Sequence, residues 1–177
     1  IAFALQKGVS SGYRLKFIEA GEDTSDMTIW RSQMTEDVGL VLVTHVQSNN
    51  GRQLPVQQIT DLARSRQILS LVDVAQSVGI LPINLAQWQA DFVVGSCVKW
   101  IGGGPGAAFL WVDSPMIEHC QPQSVGWFSH QDPFEFDIHH FRYADDALRF
   151  WGGTPTVYPF AVAANSVQAI NAIGVNN

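Results

Sequence analysis

The chain has 177 residues, 46% of them hydrophobic and 15% charged, which suits one soluble globular domain with a sizeable core. A formal net charge of −6 argues against a nucleic-acid partner, because phosphate backbones call for a basic face. Glycines, prolines and charges interrupt every apolar run before it reaches membrane-spanning length, and Ile1 to Leu5 is too short for a signal sequence and lacks its basic region.

Taken in chain order, Ile1 to Lys7 reads as a helix and Tyr13 to Ile18 as a strand. Thr24 to Met34 reads as a helix capped by Thr24 or Ser25, with Asp26 in its first turn. Gly39 to Val46 is a near-continuous apolar run of buried-strand length, and Asn49-Asn50-Gly51 is a turn signal after it. Pro55 opens a helix over Val56 to Arg66 that places Val56, Ile59, Leu62 and Ala63 on one face. Ile68 to Val72, Phe92 to Gly95 and Ala107 to Val112 read as further buried strands. The link between the last two is short and glycine-rich, which suits a hairpin. Gln121 to Ala147 is irregular and aromatic, a candidate for packing on a neighbouring subunit, and Val157 to Ile173 carries an apolar helix pattern. Alternating strands and helices predict an α/β sheet covered by helices, with ligands bound beyond the carboxyl ends of the strands.

Two chemistry-bearing residues fall at such strand ends. The run Asp91-Phe92-Val93-Val94-Gly95-Ser96-Cys97-Val98-Lys99 delivers one lysine to a glycine-rich turn, Gly102-Gly103-Gly104-Pro105-Gly106. In a partly dry crevice such a lysine loses its proton and becomes an amine that condenses with aldehydes. Leu69-Ser70-Leu71-Val72-Asp73 ends a second apolar run on an aspartate, which suits a ring-nitrogen partner and equally a turn or cap residue. The glycine turn suits close backbone approach to a phosphate, although most such runs are merely turns. Cys97 lies in the packed approach to Lys99 and reads as structural. With Cys120 it forms no disulfide framework, so a reducing cytoplasm is expected. His119, His130, His139 and His140 match no common ligand spacing, so no metal site is expected. No G-x-G-x-x-G follows an early strand, which argues against a nicotinamide-binding unit.

Further landmarks are Leu42-Val43-Thr44-His45-Val46-Gln47 with Gly51, Asp73-Val74-Ala75-Gln76, Gly126-Trp127-Phe128-Ser129-His130 and Arg149-Phe150-Trp151-Gly152-Gly153-Thr154-Pro155. Together with Ser96 to Lys99 and the glycine turn, they resemble the fold-type I pyridoxal-phosphate (PLP) enzymes. The resemblance is to the class V aminotransferase-like group, and within it to the kynureninases. It implies part of the mostly parallel-sheet large domain of such an enzyme. The chain reads as one α/β unit over residues 1–177, a fragment without the amino-terminal phosphate loop or the small domain.

The resemblance also implies roles. Lys99 is the lysine that holds PLP and moves protons at the substrate's α-carbon. Asp73 is the partner of the ring nitrogen, Gln76 of the ring hydroxyl and Ser96 of the phosphate. Trp127 approaches the phosphate from the adjoining subunit of a homodimer, and Thr154 lies near the substrate's aromatic ring. Ser48 and Asn49 fall where relatives place a residue near the cofactor ring. Read without the resemblance, Gln76 is a surface amide, Ser96 a backbone-bonded hydroxyl, and Trp127 and Thr154 packing residues. The implied reaction is hydrolysis of kynurenine or its 3-hydroxy form, small aromatic amino acids, to an anthranilate and alanine. Two positions depart from the pattern. Kynureninases more often carry histidine at the place of Gln76, a position whose glutamine favours cysteine desulfuration or transamination. Val98 replaces the tyrosine or histidine that contacts phosphate in relatives. Valine has no donor, which favours a non-catalytic remnant.

Overall fold

The computed structural model describes residues 12–175, so the helix expected over Ile1 to Lys7 lies outside the described residues. The first helix among the described residues, α1 (Met27–Gln33), is shorter than expected and differently capped. Asp26 caps it by accepting from the Thr28 amide at 2.8 Å, while Ser25 bonds to Asp23 instead. A carboxylate at the cap both accepts an orphan amide and complements the helix dipole. Tyr13 to Ile18 forms no strand. Its alternation is real, but a strand needs a neighbouring edge, and Tyr13 and Phe17 stay 73% and 72% exposed.

Four strands make the sheet: β1 (Leu40–Thr44), β2 (Leu69–Asp73), β3 (Phe92–Ser96) and β4 (Ala108–Val112), in the order β1-β2-β3-β4. The first three run parallel, with Thr44 beside Asp73 and Asp73 beside Val94. Strand β4 returns antiparallel to β3, as the short glycine-rich link suggested. Phe109 lies across from Gly95, where any Cβ would collide with its ring.

Helix α2 (Val56–Ser65) crosses from β1 to β2, and α3 (Leu85–Trp88) lies between β2 and β3. Together with α1 they cover one face of the sheet. Val41, Val43, Val72 and Val93 bury there against Trp30, Ile59, Ala63 and Trp88. Buried Thr60 on α2 donates to the Trp88 carbonyl at 2.7 Å, fixing α3 on α2. The opposite face, with Leu42, Thr44, Leu71, Asp73, Val94 and Ser96, is only half-buried. Beyond β4 come α4 (Ser114–His119), which the sequence reading missed, and two short 3-10 turns, Trp127–Ser129 and Ala147–Phe150. Helix α5 (Tyr158–Ile173) closes the described chain. No helix among the described residues is long and apolar enough to cross a membrane.

Candidate active site at the ends of the parallel strands

Parallel pairing brings the predicted carboxylate and lysine toward the same end of the sheet. Asp73 is the last residue of β2 and sits half-buried. Its Oδ1 accepts the Ala75 amide at 2.9 Å, an aspartate turn that leaves the other oxygen without a hydrogen-bond partner among the described residues. Gln76, also half-buried, follows in the same turn, which closes through Ser77 and Val78 amides donating to the Val74 carbonyl. Ser96 ends β3, and its hydroxyl accepts only a long 3.4 Å bond from the Val98 amide. Lys99 stands exposed three residues further on, its carbonyl accepting from the Gly102 amide at 2.9 Å. Its amine has no ion pair or hydrogen bond among the described residues. The loops after β2 and β3 touch: a Cβ on Gly79 would lie 3.3 Å from the Ile101 backbone nitrogen.

The glycine turn serves packing at two of its positions. Gly102 and Gly104 take φ of 69° and 70°, the left-handed region that glycine enters freely. Gly103 and Gly106 meet α5, and Gly106 also has a positive φ of 98°: a Cβ on Gly103 would sit 2.9 Å from both Ala163 Cα and Cβ, and one on Gly106 would be 3.0 Å from Pro159. The loop closes through the Cys97 amide donating to Ala107 at 3.0 Å and the Gly103 amide donating to Cys97 at 2.8 Å. Burial pushes the Cys97 thiol pKa up, which disfavours the thiolate and agrees with a structural cysteine.

Trp127 and Thr154 belong to a second group. Their segments cross where Gly126 approaches the Gly152 carbonyl and Gly152 approaches Ser124, too closely for any side chain. Trp127 is 62% exposed and meets Phe136 edge-on at 5.9 Å between ring centres; Thr154 is exposed. Among the described residues, no hydrogen bond, ion pair or ring contact joins either one to Asp73, Ser96 or Lys99. Ser48 and Asn49 are likewise exposed, in the turn after β1.

Two residues with clear structural roles escaped the sequence reading. His45, just beyond β1, is 2% exposed and bonds to Ser77 and Gln53. Buried Arg149 has no acidic partner among the described residues. It donates to the carbonyls of Ala144 at 2.9 Å, Cys120 at 3.1 Å and Ile117, with the Tyr143 ring 5.7 Å away. It thereby ties the second 3-10 turn to the carboxyl end of α4, where carbonyls favour a cation. The signal in each case was a polar residue set in an apolar run. Among the described residues, no group of three or more His, Cys, Asp or Glu is placed to hold a metal ion.

Residues 3–177 match the aminotransferase class-V family model, and the chain belongs to that family. Among curated proteins it is similar to the kynureninase of Deinococcus radiodurans, with 40% identity over 124 residues, covering 70% of this chain and 30% of that protein. It is also similar to the kynureninase of Pseudomonas fluorescens, 30% identical over 164 residues, which are 92% of this chain and 38% of that one. Among solved structures, the apo cysteine desulfurase of Thermococcus onnurineus NA1 superposes with a TM-score of 0.84 at 24% identity. That match covers 98% of this chain and 43% of the other, and it shows the fold: α/β with a mostly parallel sheet. The chain thus spans less than half the length of each of these relatives.

Proposed function

We propose that this chain carries the lysine- and carboxylate-bearing part of a PLP site in an enzyme that hydrolyses kynurenine or 3-hydroxykynurenine to an anthranilate and alanine. The observation that carries the reading is the pairing of β1, β2 and β3. It sets Asp73 and Lys99 toward one end of the sheet, where one Asp73 oxygen and the Lys99 amine have no hydrogen-bond or ion-pair partner among the described residues. The similarity to kynureninases supplies the substrate class.

The residues present fit the cofactor at its ring and aldehyde. PLP, when bound, supplies an electron sink for charge developing at the substrate's α-carbon. The free oxygen of Asp73 favours a protonated ring nitrogen by its opposite charge. The Lys99 amine would hold the aldehyde end of the group and, once released from it, would hold or return a proton at the substrate's α-carbon. Gln76 offers an amide to the ring hydroxyl. The phosphate end is less furnished: Ser96 offers one hydroxyl, Val98 offers nothing, and Gly103 and Gly106 face α5. In the reaction, water's oxygen joins the aryl carbonyl carbon and the bond from that carbon to the methylene breaks. The methylene carbon then takes a proton to give alanine. Trp127 and Thr154 frame the aryl ring in a homodimer. Support comes from the apolar surface around Trp127, where Phe134, Phe136 and Ile138 are 67%, 77% and 89% exposed.

The test is titration of the chain with PLP, borohydride reduction, and mapping of the modified peptide by mass spectrometry. A reducible absorption band with label on Lys99, lost in Lys99→Ala, supports the site. Absence of a band, or label scattered over Lys7, Lys16 and Lys99, refutes it. Gln76 favours a second reading, desulfuration or transamination. Spectral change on adding cysteine or alanine, with none on adding kynurenine, moves the assignment there.

A further inference from the structure

We infer that His45 is the positioning residue of this site: its neutral ring holds Ser77, and through Ser77 it sets the turn that aims Asp73 and Gln76. The inference rests on the site proposed above but concerns a residue given no role in it. His45 joins four segments. Its amide donates to the Asp73 carbonyl at 2.9 Å, and its carbonyl accepts from the Leu54 amide at 2.9 Å. Its Nδ1 lies 2.8 Å from Ser77 Oγ and its Nε2 lies 3.2 Å from Gln53 Nε2. The ring packs edge-on against Trp88 at 4.8 Å.

The partners dictate where the proton sits. The one hydroxyl hydrogen of Ser77 goes to the Val74 carbonyl, 3.2 Å away, so Ser77 Oγ accepts from His45 Nδ1–H. The Gln53 amide nitrogen only donates, so Nε2 carries no proton. Every bond is satisfied by one neutral tautomer. A charged ring would face the Gln53 donor with a second donor, and burial of the ring opposes the charge as well.

Ser77 is fully buried and is the knot of the turn. Its amide donates to Val74 at 2.9 Å, and its carbonyl accepts from the Leu81 amide at 2.9 Å. Between Val74 and Ser77 lie Ala75, whose amide pins Asp73 Oδ1, and Gln76. Loss of the bond to His45 frees Ser77 to rotate, and the Ala75 pin on Asp73 loosens with it.

Two series of measurements test this. Asparagine places an amide N–H where His45 Nδ1–H stands, whereas glutamine places its amide at the level of Nε2. Amide hydrogen exchange by NMR is read at Ala75 and Gln76 in His45→Asn, His45→Gln and Ser77→Ala, with Asp73→Ala marking complete loss of the pin. His45→Gln and Ser77→Ala are expected to speed exchange at Ala75 at least ten-fold, with the β1 and β2 ladder amides unchanged. His45→Asn is expected to stay within three-fold of the parent. In the same variants, PLP affinity is expected to fall about ten-fold for His45→Gln and Ser77→Ala and to be retained in His45→Asn. The inference is overturned if His45→Asn behaves as His45→Gln does, or if exchange rises uniformly across the sheet, which is the mark of a purely structural residue. Should the parent chain bind no PLP while the Ala75 pattern holds, the cofactor reading fails and the positioning of Asp73 by His45 stands.

Discussion

Gly103→Ala separates two uses of the glycine turn, as a floor for a helix and as a cradle for an anion. A methyl at Gly103 would lie 2.9 Å from Ala163 Cα and Cβ and 3.1 Å from Cys97 Cβ. These are backbone and core atoms, not the ends of flexible side chains, so α5 must retreat by several tenths of an ångström. Overpacking of that kind costs about 2 kcal/mol. With a urea slope of about 2 kcal/mol per molar, the unfolding midpoint falls by about 1 M. Gly104→Ala provides the contrast: nothing lies within 4 Å of its Cβ, and its φ of +70° costs about 1 kcal/mol alone. Ala163→Gly combined with Gly103→Ala removes one of the two 2.9 Å contacts and should recover part of the loss, giving a measurable coupling between the two sites. Urea titrations followed by far-ultraviolet circular dichroism read the parent, the single variants Gly103→Ala, Gly104→Ala and Ala163→Gly, and the double variant. A Gly103→Ala midpoint equal to the parent's, or a larger loss in Gly104→Ala, would refute the packing argument.

Asp73→Asn keeps an oxygen for the Ala75 amide and removes the charge, so stability should hold while PLP affinity falls roughly ten-fold, about 1.4 kcal/mol; equal affinity in a fluorescence titration removes Asp73 from its role. Burial holds His45 below its ordinary pKa of 6.5, so the unfolded chain binds the extra proton. Stability is therefore full above about pH 6.5 and declines as the pH drops below it. Urea midpoints from pH 8 to pH 5 should show that decline in the parent and a flatter profile in His45→Asn; equal slopes count against it. Asp23, Asp26 and Asp37, held below 3.8 by hydrogen bonds from Ser25, Thr28 and Thr35, add a loss of the same sign in stronger acid. Arg149→Met leaves the carbonyls of Ala144, Ile117 and Cys120 without their donor and should destabilise by about 3 kcal/mol. An unchanged thermal midpoint would show that water replaces the guanidinium there.

What the sequence alone determined is what short-range chemistry determines. The apolar runs around Leu42, Leu71 and Val94 became the parallel strands, and the glycine-rich link became an antiparallel hairpin. Asp73 fell at the end of β2 and Lys99 in the turn three residues beyond β3, and Val56, Ile59 and Ala63 were buried on one helix face as their spacing required. The family was legible in the same motifs. Local patterns failed where the deciding partner lies far along the chain. Tyr13 to Ile18 alternates like a strand but meets no edge. Gly103 reads as a turn residue until α5, some sixty residues later, lies against it. His45 reads as one polar residue after an apolar run until Ser77 and Trp88 arrive to fix its proton and its plane. Only tertiary packing decides such positions, because their hydrogen-bond partners and excluded volumes belong to segments that the local pattern does not contain.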